Sequence, residues 1–516
     1  MKKINIKYLI LPVALILFIS SGCKKVLDPT PFGAQTIDAT FNDFNGTIGA
    51  VNGIYAQFTN SNLYRGTSGL LAIDQASDDV MDNAISQSGY SPVDYFELAA
   101  NNGITYNIMD DFYRAILRSN IVIGRVPAIN FPLAFQKNGT GLLFKDQFTG
   151  EALFFRAFSY YNLVRIFGDV PLRINEISAA TQVNIPRSPA AEVYKQIEQD
   201  LIEAAQKLPL TYTGSGSGNE RGRVSKMSAL VVLSEVYLTQ KKYAEAKTTA
   251  LQVIQNAGGY RLNNTYISNF PARNGGTENT QESLFEIQFS AVGIAANATA
   301  PQGHGLSYLM GPTTDGVGIP FLANYRPTDN GAPDNEAGFT GGLVQEFPVG
   351  DLRIATNFLQ GQRGTGVIGW LTNKYYEVGR GSSCGGNFVA YRVADAYLIY
   401  AEATNELGTP DVQSIDYVNQ LRRRAFGLPL TTVSVQDIDP VQTQAAFRNI
   451  LRSERRKELA MENKRWFDLV RYGFNYANDI LKVNQKRVNF NQTKLLFPFP
   501  EVELVNNPLL TQNPGY

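Results

Sequence analysis

Apolar residues recur at helical spacing over most of this chain, and the places where the period fails divide it. Ile48, Val51, Ile54, Tyr55 and Phe58 mark one face of a first helix, and Tyr113, Ile116, Leu117 and Ile123 do the same over residues 108–126. Residues 150–167 are apolar almost all round, which predicts a buried helix, capped by Gly168 and kept from resuming by Pro171. Ser188 suits an N-cap and Pro189 a first turn. Val193, Ile197, Leu201, Ala204, Ala205 and Leu208 then face a core until Pro209. A Gly/Ser loop follows at 214–219. Residues 228–257 read as a helical hairpin, with Leu230, Leu233, Tyr237, Tyr243 and Ala246 at tetratricopeptide-repeat spacing and Gly258 and Gly259 at its end. A looser version runs through Leu398, Tyr400, Ala401, Ala403, Gly408, Ile415, Val418 and Leu421. One helix pair cannot bury its faces alone, whereas stacked pairs can. The prediction is a mainly α chain, with several tetratricopeptide-like hairpins forming one right-handed scaffold.

Between residues 260 and 390 the helical period is lost, apart from a strand-like run at 284–289, and glycines accumulate. Aromatics scattered through it, among them Tyr308, Phe321, Tyr325, Phe339, Trp370, Tyr375 and Tyr376, argue against disorder. The expectation is a packed, loop-rich, mixed subdomain inserted into the helical scaffold. Residues 74–83, with Asp74, Asp78, Asp79, Asp82 and Asn83, read as an earlier turn-rich loop.

A formal net charge of +0 over 516 residues argues against nucleic acid as a partner. The first residues lie outside the fold. Lys2, Lys3 and Lys7 precede an apolar run at 8–19 that is too short to span a bilayer, so residues 1–22 read as a secretory signal. Its end, Ser20-Ser21-Gly22-Cys23, resembles a bacterial lipobox. That resemblance implies a lipidated Cys23, a tether over 23–35 and a membrane anchor through the lipid. Cys384 is the only other cysteine and His304 the only histidine, which argues against zinc. The remaining organisation is a helical region at 36–259, the loop-rich region at 260–390 and a second helical region at 391–516.

The stretch 453–473 stands out. Its spacing predicts one helix, stopped by Gly473 with Arg471 in the last turn. Glu454, Glu458 and Glu462 then share a face and repel one another unless Arg455, Arg456, Lys457 or Arg465 neutralises them. The expectation is a packed helix with an internally paired charged seam, and with Trp466 in the core. This stretch resembles the C-terminal signature of the starch-utilisation-system D family of lipoproteins (SusD, also called RagB), at Glu454, Arg455, Arg456, Glu458, Leu459, Glu462, Arg465, Trp466, Asp468, Leu469, Arg471 and Gly473. Five further places agree: Ala50, Gly53 and Tyr55; the run 150–172; Ala401-Glu402-Ala403 with Asn405 to Gly408; Asn419 to Ala425; and the closing Asn507-Pro508 and Gln512-Asn513-Pro514-Gly515-Tyr516. Met109 departs from the family, which usually has Trp there. The resemblance implies a non-catalytic outer-membrane protein facing the cell exterior. Such a protein binds an oligosaccharide beside a SusC-like TonB-dependent transporter. Some relatives are implied to take peptides instead.

Candidate chemistry is sparse. The chain has no Walker loop or histidine pair, and its adjacent acids such as Asp110 and Asp111 lack the facing geometry of a glycosidase. Asp74, Asp78 and Asn83 carry oxygen donors for a structural calcium, without the spacing of a dedicated loop; no other cofactor is expected. Sugar binding asks for a flat aromatic against the pyranose face, with planar polar groups on the hydroxyls. Trp370, flanked by Gly369 and near Asn373, is the leading candidate. Tyr90, Tyr95, Tyr308, Tyr325 and Arg326 stand behind it, and Asp74, Asp78 and Asn83 are candidate hydroxyl partners. A surface glycan hydrolase and a purely protein-binding scaffold are the rival readings.

Overall fold

The computed structural model describes residues 37–66, 69–81, 91–177, 183–212, 220–256, 258–270, 278–290, 326–330, 338–363, 367–377 and 384–516. Cys23, Asn83, Tyr90, His304, Tyr308 and Tyr325 lie outside them. The longer helices are α1 (Phe44–Phe58), α2 (Gly103–Arg125), α3 (Phe144–Phe167), α4 (Ala190–Lys207), α5 (Lys226–Thr239), α6 (Tyr243–Ile254), α7 (Val393–Glu406), α8 (Val412–Ala425), α9 (Gln444–Glu458) and α10 (Arg465–Tyr472). From α1 to α8 each helix packs on the next along the chain. That order holds across the long insertion: α6 and α7 lie side by side although residues 255–392 separate them. The scaffold is the tetratricopeptide-like array that the apolar spacing predicts. Among the described residues no helix is long and apolar enough to cross a membrane.

Helix α3 is the centre of the array. Packed between α2 and α4, it buries Phe154, Tyr160, Tyr161 and Leu163 completely, on faces that point in different directions. Its one arginine in the middle, Arg156, is bidentate to Asp200 of α4 at 2.7 Å for both bonds, so the buried charge is paired. Gly168 ends the helix at φ +72°, where a Cβ would stand 2.9 Å from Leu496 Cδ1. The chain terminus closes over this end: Asn513 Nδ2 donates to the carbonyls of Phe167 at 3.0 Å and Phe497 at 2.7 Å.

The cap of α4 differs from the sequence expectation. Its first amide, Ala190 N, donates to Asp169 Oδ1 at 2.8 Å, while Ser188 forms a backbone bridge with Val170. The partner lies two residues past the end of α3, and the bridge next to it brings it alongside. Asp169→Ala is expected to lower stability by about 1 kcal/mol, and Ser188→Ala to leave it within about 0.5 kcal/mol. Urea midpoints of the two variants check this; equal losses would contradict the assignment.

Among the described residues, six short strands make three antiparallel pairs: β1 (Val80–Met81) with β3 (Arg326–Pro327), β2 (Ser283–Ile287) with β6 (Phe388–Arg392), and β4 (Phe358–Arg363) with β5 (Val367–Thr372). Strand β2 is the strand-like run seen in the sequence. Its Phe285 ring stands edge-on to Phe154, Phe155 and Phe158 of α3, at 5.1, 5.9 and 5.5 Å. The insertion thus shares the hydrophobic core of the helices instead of resting on their surface.

The stretch 453–473 is not one helix. Helix α9 stops at Glu458, and α10 starts at Arg465. Between them Met461 and Asn463 take left-handed conformations, at φ +63° and +57°, which asparagine tolerates better than most residues. Glu462 lies in this turn, so only Glu454 and Glu458 share a helical face. Residues 74–81 are likewise no solvated loop. A 3-10 helix at Leu70–Ala76 leads into β1, and Asp74, Asp78 and Asp79 are buried.

Candidate functional site

Strand β3 lies against β5, which brings the β1–β3 and β4–β5 pairs together. Across the β4–β5 hairpin, Gln360 stands directly opposite Trp370. Opposed residues of an antiparallel pair project on the same side. Gln360 is exposed, and Trp370 is half-buried, with part of its ring on the core. A planar amide beside a partly exposed indole is the pairing that a sugar ring calls for.

The hairpin is bolted down at both ends to the 453–473 stretch. Before β4, Arg353 binds Asp351 at 2.7 Å, Glu454 at 2.6 Å and Glu458 at 3.0 Å. After β5, Asn373 N donates to Asn357 O at 2.7 Å. Lys374 Nζ then donates to Glu462 at 2.8 Å, to the Ala460 carbonyl and to the Tyr266 hydroxyl. Arg392, at the end of β6, spans Glu282 at 3.1 Å, Glu458 at 2.5 Å and Glu462 at 2.9 Å. Arg424 of α8 adds bonds to Glu282 and Glu458. All these side chains are almost fully buried. The seam is therefore paired, as expected, but its main partners are cations from the insertion and from α8; of the neighbours within the stretch, Lys457 reaches Glu454 at 3.6 Å.

The β1–β3 pair is held in the same way. Arg465 grips both oxygens of Asp78, at 2.6 and 2.9 Å. Arg456 binds Asp79 at 2.7 Å and the Asp78 carbonyl at 2.7 Å. Thr328, just past β3, donates from its amide to the Asp79 carbonyl and from its hydroxyl to the Asp78 carbonyl. Arg455 turns the other way, to Asp468 at 2.7 Å and to Glu235 of α5 at 3.3 Å. The motif is a buried set of guanidinium forks that fixes two strand pairs to the helical array.

The electrostatics follow from the pairing. Burial alone would raise Glu458, but Arg424, Arg392 and Arg353 overcome it and hold the carboxyl far below the usual carboxylate range. Glu454, Glu462 and Asp468 are lowered for the same reason: burial raises them and their cations prevail. Burial takes Lys374 down to about 8, against the pull of Glu462.

The candidate residues do not gather at one place. Trp370 lies on β5 and Arg326 on β3, two strands that pack against each other. Asp78 is withdrawn from ligand and calcium duty, because two arginines already occupy its carboxylate in the core. Asp74 is 1% exposed, and its oxygens take the Ser77 hydroxyl. The donor set does not fit calcium: Asp78 and Asp79 face guanidiniums, and among the described residues no group of acids, histidines or cysteines could hold a metal ion. Tyr95 is 47% exposed on a turn after residue 94. Asn83, Tyr90, Tyr308 and Tyr325 lie outside the described residues. Trp466 is core, as predicted, at 1% exposure. Sequence reasoning missed Gln360, because nothing in a single strand announces its cross-strand partner. It also missed Arg353, Lys374 and Arg392 as the platform's cations.

Two family models match the chain. One, described as the SusD family, covers residues 357–516. The other, described as starch-binding associating with outer membrane, covers 43–238. SusD-like protein P2 of Formosa agariphila is 29% identical, over all of both chains. A SusD homolog from Bacteroides thetaiotaomicron superposes with a TM-score of 0.77 at 20% identity, covering 93% of this chain and 99% of the other. Surface glycan-binding protein A from Bacteroides fluxus gives 0.72 at 22% identity, covering 92% and 99%.

Proposed function

Because the chain belongs to the SusD/RagB family, we propose that it is a surface protein that captures a nutrient glycan and hands it to a SusC-like TonB-dependent outer-membrane transporter. Lipid on Cys23 holds it to the outer membrane, facing the cell exterior. The ligand stacks on Trp370 and hydrogen-bonds to Gln360, with the backbone of Arg326 beside them. Residues 260–390 form the ligand-binding part, and the helices on either side form the scaffold. Capture and transfer need no covalent step, so no residue is assigned a catalytic role.

The observation that carries this reading is the Gln360–Trp370 pair on a hairpin anchored at both ends by buried ion pairs. A rigid aromatic platform binds a flat sugar face without having to order itself first. The family description of starch binding at the outer membrane, and the glycan-binding name of the Bacteroides fluxus relative, point to the same ligand class.

The test is a thermal-shift screen of residues 24–516 against polysaccharides, oligosaccharides and peptides. A ligand at 100 times its dissociation constant stabilises the native state by about 2.7 kcal/mol. One glycan class is expected to raise Tm, and Trp370→Ala and Gln360→Ala are each expected to weaken its binding, the tryptophan variant by about tenfold or more. Gln360 is exposed, so its variant tests the site with little effect on packing. A shift with peptides alone would replace the glycan by a peptide, and release of reducing ends would replace capture by hydrolysis.

A further inference from the structure

The turn between α5 and α6, together with α7, α9 and α10, encloses a cavity of about 180 Å3 on the helical scaffold. Its elements are not those of the β4–β5 site, and its chemistry is independent of the function proposed above. Four cations line it, and two are neutralised. Arg448 is bidentate to Glu406, at 2.6 and 2.9 Å, and Arg471 is paired with Glu402 and Asp468. The other two are not. Arg452 lies over the rings of Tyr472 and Tyr476, at 4.5 and 4.2 Å. Its Nε is buried without a hydrogen-bond partner, and among the described residues no carboxylate is within ion-pair distance of it. Lys241 is held at the rim of the same cavity by a left-handed turn, at φ +61°, also without an acidic partner among the described residues. The Tyr243 hydroxyl, on the wall, adds a neutral donor.

Both acids that line the cavity already serve other arginines, so its charge is positive by the two unpaired groups. A guanidinium packed into the corner of two perpendicular tyrosine rings is pre-oriented and loses little freedom when an oxyanion meets its fork. A half-buried cation without a counterion favours whatever anion fits beside it. We propose that this cavity is an anion-binding site in which Arg452 and Lys241 hold a carboxylate or sulfate group, as carried by an acidic sugar or by the free inorganic ion.

Sulfate, glucuronate and glucose are titrated into the protein at constant ionic strength set with chloride, following Tm and binding heat. Sulfate and glucuronate are expected to give saturable binding, and glucose none. Arg452→Met, which keeps a flexible apolar chain against the tyrosine rings, and Lys241→Gln, at the rim, are each expected to weaken anion binding about tenfold or more. Glucuronate binding more tightly than sulfate identifies the acidic sugar as the ligand; equal or weaker binding identifies the free anion. A sulfate effect that rises without saturation, or that is unchanged in Lys241→Gln, overturns the proposal. Because Lys241→Gln leaves the packing intact, a folding defect in Arg452→Met does not obscure the result. Glycan binding through Trp370 is measured in the same variants and is expected to be unchanged, so that failure of either site is read separately.

Discussion

Glu458→Gln is expected to lower the unfolding free energy by about 3–5 kcal/mol, the range for breaking one member out of a buried ion-pair set. The substitution changes the shape of the side chain very little. It removes the charge that faces Arg353, Arg392 and Arg424 at once, in a place where none of the three reaches water. Each guanidinium keeps another carboxylate: Arg353 has Asp351 and Glu454, Arg392 has Glu462 and Glu282, and Arg424 has Glu282. The loss is therefore that of a hub and not of the whole network. The contrast is Glu203→Gln, whose carboxylate pairs with Lys207 at 3.7 Å with half its side chain in solvent. There the change is expected to stay within about 0.5 kcal/mol. Urea midpoints at neutral pH measure both. A Glu458→Gln protein within about 1 kcal/mol of wild type would mean that the buried pairs are bystanders to the packing around them.

Acid is expected to unfold the protein between about pH 4 and pH 2, well before the hydrophobic core would demand it. The sign follows from lowered carboxyls. Burial raises Glu235, but Lys464, Arg165 and Arg455 take it from 4.5 down to about 2. A group whose folded pKa is depressed contributes stability that is present above its unfolded value and is lost as pH falls through the folded one. For Glu235 alone that contribution is about 3 kcal/mol. Asp78, Glu454, Glu458, Glu462 and Asp468 move in the same direction. Asp79, pushed up to about 6 chiefly by burial, acts oppositely, and so does Glu278. Burial, with the nearby Glu286 carboxylate, pushes it up to about 7, so its contribution is full below its unfolded value of 4.5 and is lost as pH rises through 7. Stability is thus expected to be greatest near about pH 5, to decline modestly toward about pH 8 and to collapse below about pH 4. Tm at half-unit steps of pH traces the curve. A flat profile from about pH 5 to 2.5 would contradict the ion-pair account, and Glu278→Gln should flatten only the upper limb.

Much of the scaffold was legible in the chain, since helical spacing is local. Val193, Ile197 and Leu201 announce a face whatever lies opposite, and Gly168 and Pro171 announce an end. The break at 459–464 was not legible: apolar residues on both sides keep the period across it, and only the left-handed turn at Met461 and Asn463 interrupts the backbone. The cap of α4 was misread because Asp169 and Ala190 meet only through the Val170–Ser188 bridge. Residues 74–81 read as polar and solvated, since acids on their own favour water. Their burial depends on Arg456 and Arg465, which lie far along the chain.

What the sequence by itself determined is the part that depends on neighbours a few residues apart: helix positions, the apolar faces that stack α1 to α8, the loss of period in the insertion, and Trp370 and Trp466 as two tryptophans in unlike settings. The tertiary structure alone decided which charges meet. Glu458 is one glutamate in a charged run until Arg353, Arg392 and Arg424 arrive from three other segments, and Gln360 is an ordinary polar residue until the hairpin sets it across from Trp370. Coulomb and hydrogen-bond energies depend on distances of a few ångströms, and between residues remote in the chain those distances are set only by the folded packing.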